Sequence, residues 1–95
     1  ATAVIAGADL IALGAVRELR RLGQSVPGEV SVVGFDDIPW AQWETPALTT
    51  IELPVEQMGE AAVETLLQRM ARPADPPTRR VFDVALVVRE SSAPP

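Results

Sequence analysis

Apolar and polar positions along this chain fall into two cycles of strand, helix and strand. Thr2 to Ala6 (TAVIA) is a short apolar run that reads as a buried strand. Gly7-Ala8 turn the chain. Asp9 is then placed as the N-cap of a helix, because its carboxylate can accept from the free N–H groups there. Across Leu10 to Leu22 the apolar positions recur at Leu10, Leu13, Val16 and Leu19, or in a second register at Ala12, Val16, Leu19 and Leu22. Arg17, Glu18, Arg20 and Arg21 occupy the opposite side, so the segment is an amphipathic helix. The late arginines suit the negative end of the helix dipole, and Gly23 suits the residue just past its end. Gly14 costs about 1 kcal/mol against alanine inside a helix and is read as a close-packing point.

The second strand is Val30 to Phe35, β-branched and nearly continuous, as expected of a strand covered on both faces. The order gives a right-handed unit with parallel strands. A third strand is expected over Leu48 to Glu52. Pro54 at the first helical position then opens a helix over Val55 to Ala71. Val55, Met58, Ala62, Leu66 and Met70 form its apolar stripe, widened by Val63 and Leu67, and Glu56, Glu60 and Glu64 form a solvated face. A proline-rich loop leads to a last strand, Val81 to Arg89, and the tail from Glu90 to Pro95 is expected to fray. The fold class is therefore α/β, a mostly parallel sheet with flanking helices.

Composition narrows the function. The 95 residues suffice for one domain, and 47% apolar with 22% charged residues marks a globular chain. No run approaches the length of a membrane span. With no cysteine and no histidine, disulfides, thiol nucleophiles and the commonest metal ligands and general base are excluded. No catalytic residue, metal or cofactor is expected. A net charge of −5 argues against nucleic-acid contact by this segment. The opening ATAVIAG is neither a signal nor a transit peptide, and with no initiator methionine the segment reads as part of a longer protein.

The candidate site lies where strands end. In VSVVGFDDIPW an apolar strand runs into two adjacent acids, Asp36 and Asp37. Ligands of open α/β sheets bind outside the carboxyl ends of strands, and neighbouring strands lie about 4.8 Å apart. Asp36 is the main candidate ligand contact and Asp9 a weaker one. Their carboxylates suit a ligand rich in O–H or N–H donors, such as a sugar or nucleoside. Asp37 reads as a turn former. Trp40 and Trp43 belong to a short helical turn, as lids on the core, as an association surface or, third, as a platform on which a base or sugar stacks.

The motifs A-D-x-x-A-L-G-A, L-G-x-x-V-P-x-x-V-S-V-V-G-F-D-D, T-P-x-L-T-T, P-x-x-x-x-G and L-V-x-R-x-S together span nearly the whole chain. In that combination the sequence resembles the C-terminal part of the effector domain of the lactose/galactose repressor (LacI/GalR) family. The resemblance implies a periplasmic-binding-protein-like half domain. Residues 1–52 would supply the core of one subdomain, 53–80 a crossover and a helix of the other, and 81–95 the return strand and tail. It implies a cytoplasmic, ligand-responsive repressor with a sugar-like effector held partly by Asp36. Leu13, Trp40 and Trp43 would lie at a homodimer interface, and DNA would be read only by an upstream helix-turn-helix. Two departures make the pocket less polar than in many members: Ala8 stands for a ligand-binding asparagine and Leu53 for a glutamine. Because the apolar stripe of the helix over Val55 to Ala71 and the strand edges lack their usual partners, the segment alone is expected to dimerise, swap elements or rearrange. The alternatives are a periplasmic solute-binding protein and an oligomerisation module without ligand.

Overall fold

Residues 2–95 are described by the computed structural model of the chain. The elements are β1 (Ala3–Ile5), α1 (Asp9–Arg21), β2 (Ser31–Val33), α2 (Trp40–Trp43), β3 (Thr50–Glu52), α3 (Val55–Ala71) and β4 (Ala85–Val87). They form two compact units. One comprises the chain up to Glu52 together with Ala85–Pro95, and the other is Leu53–Val84.

In the first unit β1 pairs with β2 in parallel, with Val4 opposite Val32. The parallel pairing extends from β2 towards β3 through bridges at Val33–Thr49 and Asp36–Glu52. There the N–H groups of Gly34 and Asp36 donate to the carbonyls of Thr49 and Ile51, each at 2.9 Å. β4 adds to β3 in the antiparallel sense, with Ile51 opposite Leu86. The expected last strand is shorter than Val81 to Arg89, since residues 81–84 take no strand partner among the described residues.

α1 buries Asp9, Ala12, Leu13 and Val16 and leaves Leu10 and Leu22 exposed. The two apolar registers therefore share the core face: Leu13 of the first and Ala12 of the second are buried beside Val16, Leu19 packs against them, and each register leaves one leucine exposed. The helix ends as its sequence demands. Gly23 has φ +80°, its N–H donates to the carbonyl of Arg20, and that of Gln24 donates to Leu19, which together make a Schellman motif. Beyond it Glu29 accepts from the N–H of Ser25 at 2.7 Å and from its hydroxyl at 3.1 Å. These bonds hold the Glu29 carboxyl below the usual carboxylate range.

The core is a small cluster of Ala6, Ala12, Leu13, Val16, Val32, Ala41 and Leu48, against which Leu19, Val26 and Ile38 pack. Four expectations change here. β1 is exposed rather than buried, with Ile5 82% accessible, because among the described residues it pairs with β2 alone. Trp40 and Trp43 do not lid the core: they are 58% and 68% exposed, and Ala41 between them is the buried residue of α2. Gly14 is not a close-packing point within the chain, since an added Cβ would meet nothing within 4 Å. Finally, the tail is clamped rather than frayed. Ser91 is fully buried, its hydroxyl donates to the Val32 carbonyl at 2.6 Å and accepts from the Thr49 N–H at 2.8 Å. Its own carbonyl accepts from the N–H of Val32 at 2.8 Å. Ala93 is tied in turn to the hydroxyl of Ser31.

In the second unit α3 has the bounds read from its pattern, with Pro54 as N-cap rather than first helical residue. Only Ala61 is buried on it, while Val63, Leu66, Leu67 and Met70 are all more than half exposed. Thr78, Arg80 and Phe82 lie along the helix and close a groove with Met58, Ala61 and Thr65.

Replacing Ser91 by alanine leaves a buried carbonyl and a buried N–H without that partner. We expect a loss of about 2 kcal/mol, read as a lower urea midpoint with an unchanged slope.

Candidate functional site

Three acids gather at the carboxyl ends of β1 and β2, and the chain treats each differently. Asp9 is not the N-cap of α1. That position is Ala8, with extended backbone and no side-chain cap, and Asp9 is the first helical residue. Its N–H donates to the Phe35 carbonyl at 2.8 Å, which fixes the helix start to the end of β2. The carboxylate is fully buried. One oxygen accepts from the N–H of Ile38 at 2.8 Å and the other from the hydroxyl of Thr50 at 2.5 Å. A buried charge is costly unless it is compensated. Here the positive end of α1 and these two donors supply the compensation. Gly34 makes room for it, since a Cβ there would collide with the same carboxylate and lie 2.9 Å from Leu48.

Asp37 is the second. Its φ is +55°, in the left-handed region that aspartate tolerates better than most residues. Its carboxylate lies 2.8 Å from the Arg89 guanidinium, and the two side chains are 20% and 18% exposed. Arg89 is itself anchored: another of its guanidinium nitrogens donates to the Leu48 carbonyl at 3.0 Å, and its N–H donates to the Thr49 hydroxyl at 2.9 Å. The N–H of Asp37 faces the Thr50 hydroxyl at 3.4 Å. Thr50 thus passes a hydrogen-bond chain from the loop to Asp9.

Asp36 is the third, with φ +114°, well outside the usual range for a residue with a side chain. Two successive non-glycine residues at positive φ cost about 1–3 kcal/mol each, and such a conformation persists only where its surroundings impose it. The N–H groups of Asp36, Asp37 and Ile38 are all engaged, by Ile51, Thr50 and Asp9. The Asp36 side chain is exposed and, among the described residues, makes no hydrogen bond or ion pair.

Reading the sequence placed Asp9 and Asp36 on one rim. The structure brings the two segments together, with Asp9 under the loop and Asp36 on its outside. It also shows two residues that reading passed over, Thr50 and Arg89. Their signal was slight: Thr50 sits in the half-polar run Leu48 to Glu52 and Arg89 closes the apolar run Val84 to Val88, and a polar side chain that becomes buried must find a partner.

A second feature lies on α1. Leu10, Leu13, Gly14, Arg17, Trp40 and Glu44 line an open hollow of about 400 Å³. Leu13 is 6% exposed and belongs to the core, while Trp40 forms an accessible wall. Arg17 and Glu44 bridge its edge at 2.8 Å. Trp43 is outside this lining. Among the described residues no cluster of carboxylates could hold a metal ion, and no helix is long and apolar enough to cross a membrane.

This geometry matches a known domain. The model of the periplasmic binding protein-like domain matches residues 1–92. The transcriptional regulator MalR of Streptomyces coelicolor, an HTH-type regulator, is 50% identical over 92 residues, which are 97% of this chain and 27% of that protein. The structure of the regulator CelR with cellobiose superposes with a TM-score of 0.88 at 40% identity, over 96% of this chain and 28% of CelR. That of a LacI family regulator from Enterococcus faecalis with bound ribose gives 0.87 at 35% identity, over 99% and 35%. The chain belongs to the LacI family of regulators, as part of their periplasmic binding protein-like domain. It spans about a quarter of the curated relatives' length, 27% in the case of MalR. These relatives, like the ribose operon repressor of Haemophilus influenzae, are transcriptional regulators and not enzymes. The half-domain fold expected of the family is the one observed: an α/β unit with a mostly parallel sheet and flanking helices.

Asp9→Ala is expected to cost about 3 kcal/mol, since it leaves the Ile38 N–H and the Thr50 hydroxyl unpaired. Asp9→Asn should cost less, because its amide oxygen can still accept from Ile38 while its NH₂ donates to Thr50. Urea titrations of the two variants check that order.

Proposed function

We propose that this chain is the effector-sensing and self-association segment of a cytoplasmic, sugar-responsive transcriptional repressor, and that Asp36 contacts the effector. One observation carries the reading: of the acids at the strand ends, Asp9 and Asp37 are spent on the fold, and Asp36 is exposed and unengaged. A free carboxylate on a pinned loop suits a ligand bearing hydroxyl donors, because charged acceptors bind such donors about twice as strongly as neutral ones. The cellobiose and ribose bound by two solved relatives support a sugar. Asp9 contributes from below, by fixing the loop.

In this mechanism the effector enters between two subdomains and is held more tightly in one of their arrangements. Its differential affinity shifts the population and thereby the DNA-binding heads that an upstream helix-turn-helix would provide. The hollow between Leu10, Leu13 and Trp40, with Trp43 beside it, is the proposed contact between two copies. Exposed tryptophan on a surface otherwise poor in aromatics favours that role.

Two measurements test the reading. Scanning fluorimetry of the intact protein against cellobiose, ribose and a panel of other neutral sugars should find one that raises the melting temperature. Asp36→Ala should abolish that rise without changing the melting temperature of the free protein. An equal rise in both proteins removes Asp36 from the site. Separately, Trp40→Arg should lower the molar mass seen by light scattering, and an unchanged mass would take the hollow out of the interface.

A further inference from the structure

We infer that Arg89 is a positioning residue for Asp36: through its ion pair with Asp37 it holds the effector loop in its strained, ligand-ready conformation. The inference deepens the proposed function and, for its effect on binding, rests on that reading. Three observations lead to it. First, Asp36 and Asp37 stand at φ +114° and +55°, so the loop needs an external constraint to stay there. Second, backbone contacts alone constrain it unevenly. The N–H of Asp36 has a good bond to Ile51 at 2.9 Å and that of Ile38 one to Asp9 at 2.8 Å. The N–H of Asp37 between them has only a long one, at 3.4 Å to Thr50. The side chain of Asp37 makes up the deficit through Arg89 at 2.8 Å.

Third, Arg89 is built as a fixed anchor rather than a mobile counter-charge. One guanidinium nitrogen is committed to the Leu48 carbonyl and another lies against Asp37, while its own N–H is committed to Thr49. Its side chain is 18% exposed, against 72%, 68% and 53% for the arginines of the other ion pairs. A planar fork can serve two acceptors in fixed directions, which a lysine ammonium at the end of a flexible stem does not reproduce. Arg89 also stands two residues past β4, where the chain has returned to this unit. The chain thus carries, just past β4, the residue that sets the ligand loop.

Amide hydrogen exchange on the intact protein tests this without any ligand. In Arg89→Met and in the milder Asp37→Asn, the N–H groups of Asp37 and Ile38 should exchange at least tenfold faster, while that of Val32 in the core keeps its rate. Arg89→Lys should restore only part of the protection. The double variant should be no faster than Arg89→Met alone, since both changes break one pair. Uniform acceleration in Asp37→Asn would assign the pair to global stability and overturn the inference, as would unchanged rates at residues 37 and 38. With cellobiose or ribose as probe, whichever raises the melting temperature, Asp37→Asn should weaken binding about tenfold. If neither sugar binds wild type, the choice of sugar fails while the exchange result still decides the role of Arg89. If a sugar binds and Asp37→Asn leaves its affinity unchanged, the loop is not preorganised by the pair, and the inference fails.

Discussion

The buried carboxylate of Asp9 is the constraint on which the rest of the first unit depends. It joins three segments distant in sequence: the start of α1, the loop after β2 and the strand β3. Each is short. β1, β2 and β3 have three residues apiece and the apolar core is small, so hydrophobic burial alone leaves their relative placement loosely determined. A charge in the interior is costly unless its donors stand in particular places, and that requirement supplies directional specificity the aliphatic contacts lack. Gly34 is part of the same arrangement, because any side chain there would occupy the space of the carboxylate.

From this anchor the character of the loop follows. Once Ile38 is held by Asp9 and Asp36 is held by Ile51, the residues between them have little choice of path. The chain crosses from strand to helix through two positive φ angles in succession. Energy of a few kcal/mol stored there is tolerable only because both flanks and Arg89 oppose relaxation. A loop fixed before the ligand arrives loses less entropy on binding than one that must order around it. The strain and the free carboxylate are thus two aspects of one construction, in which neighbouring acids differ in role because their backbone and partners differ.

Much of this was legible in the residues. The helical period fixed α1 and α3 to within a residue, since long amphipathic segments carry their own signal, and Gly23 announced the end of α1. The strand ends also placed Asp9 and Asp36 together, since parallel topology allows little else. What could not be read were the partners. Asp9 looks like a cap because caps and buried struts share a residue type, and only the position of Ala8 separates them. Ser91 sits in a polar, proline-bounded tail whose composition says disorder, yet a fully buried hydroxyl with two partners makes it a clasp. The exposure of β1, of Trp40 and of the α3 stripe was hidden for the opposite reason. Apolar patterning shows which face seeks burial and is silent on whether the covering surface lies in the same chain.

The proposed site also has a direction of charge that limits what it can sense. Asp36 bridges in parallel to Glu52, which is exposed as well, and the chain carries a net charge of −5. No arginine among the described ion pairs neutralises either acid; the one beside the loop, Arg89, is committed to Asp37. Exposed carboxylates on bridged residues disfavour an anionic ligand and suit one that offers hydroxyl donors. Ala8 offers no polar side chain at this end of the sheet, so under the proposed function recognition by this segment would rest on few contacts. A phosphorylated sugar would meet repulsion where a neutral one meets acceptors. If Asp36 contacts the effector as proposed, that effector would be an uncharged, hydroxyl-rich molecule, and selectivity among such molecules would come from the geometry in which the loop holds Asp36.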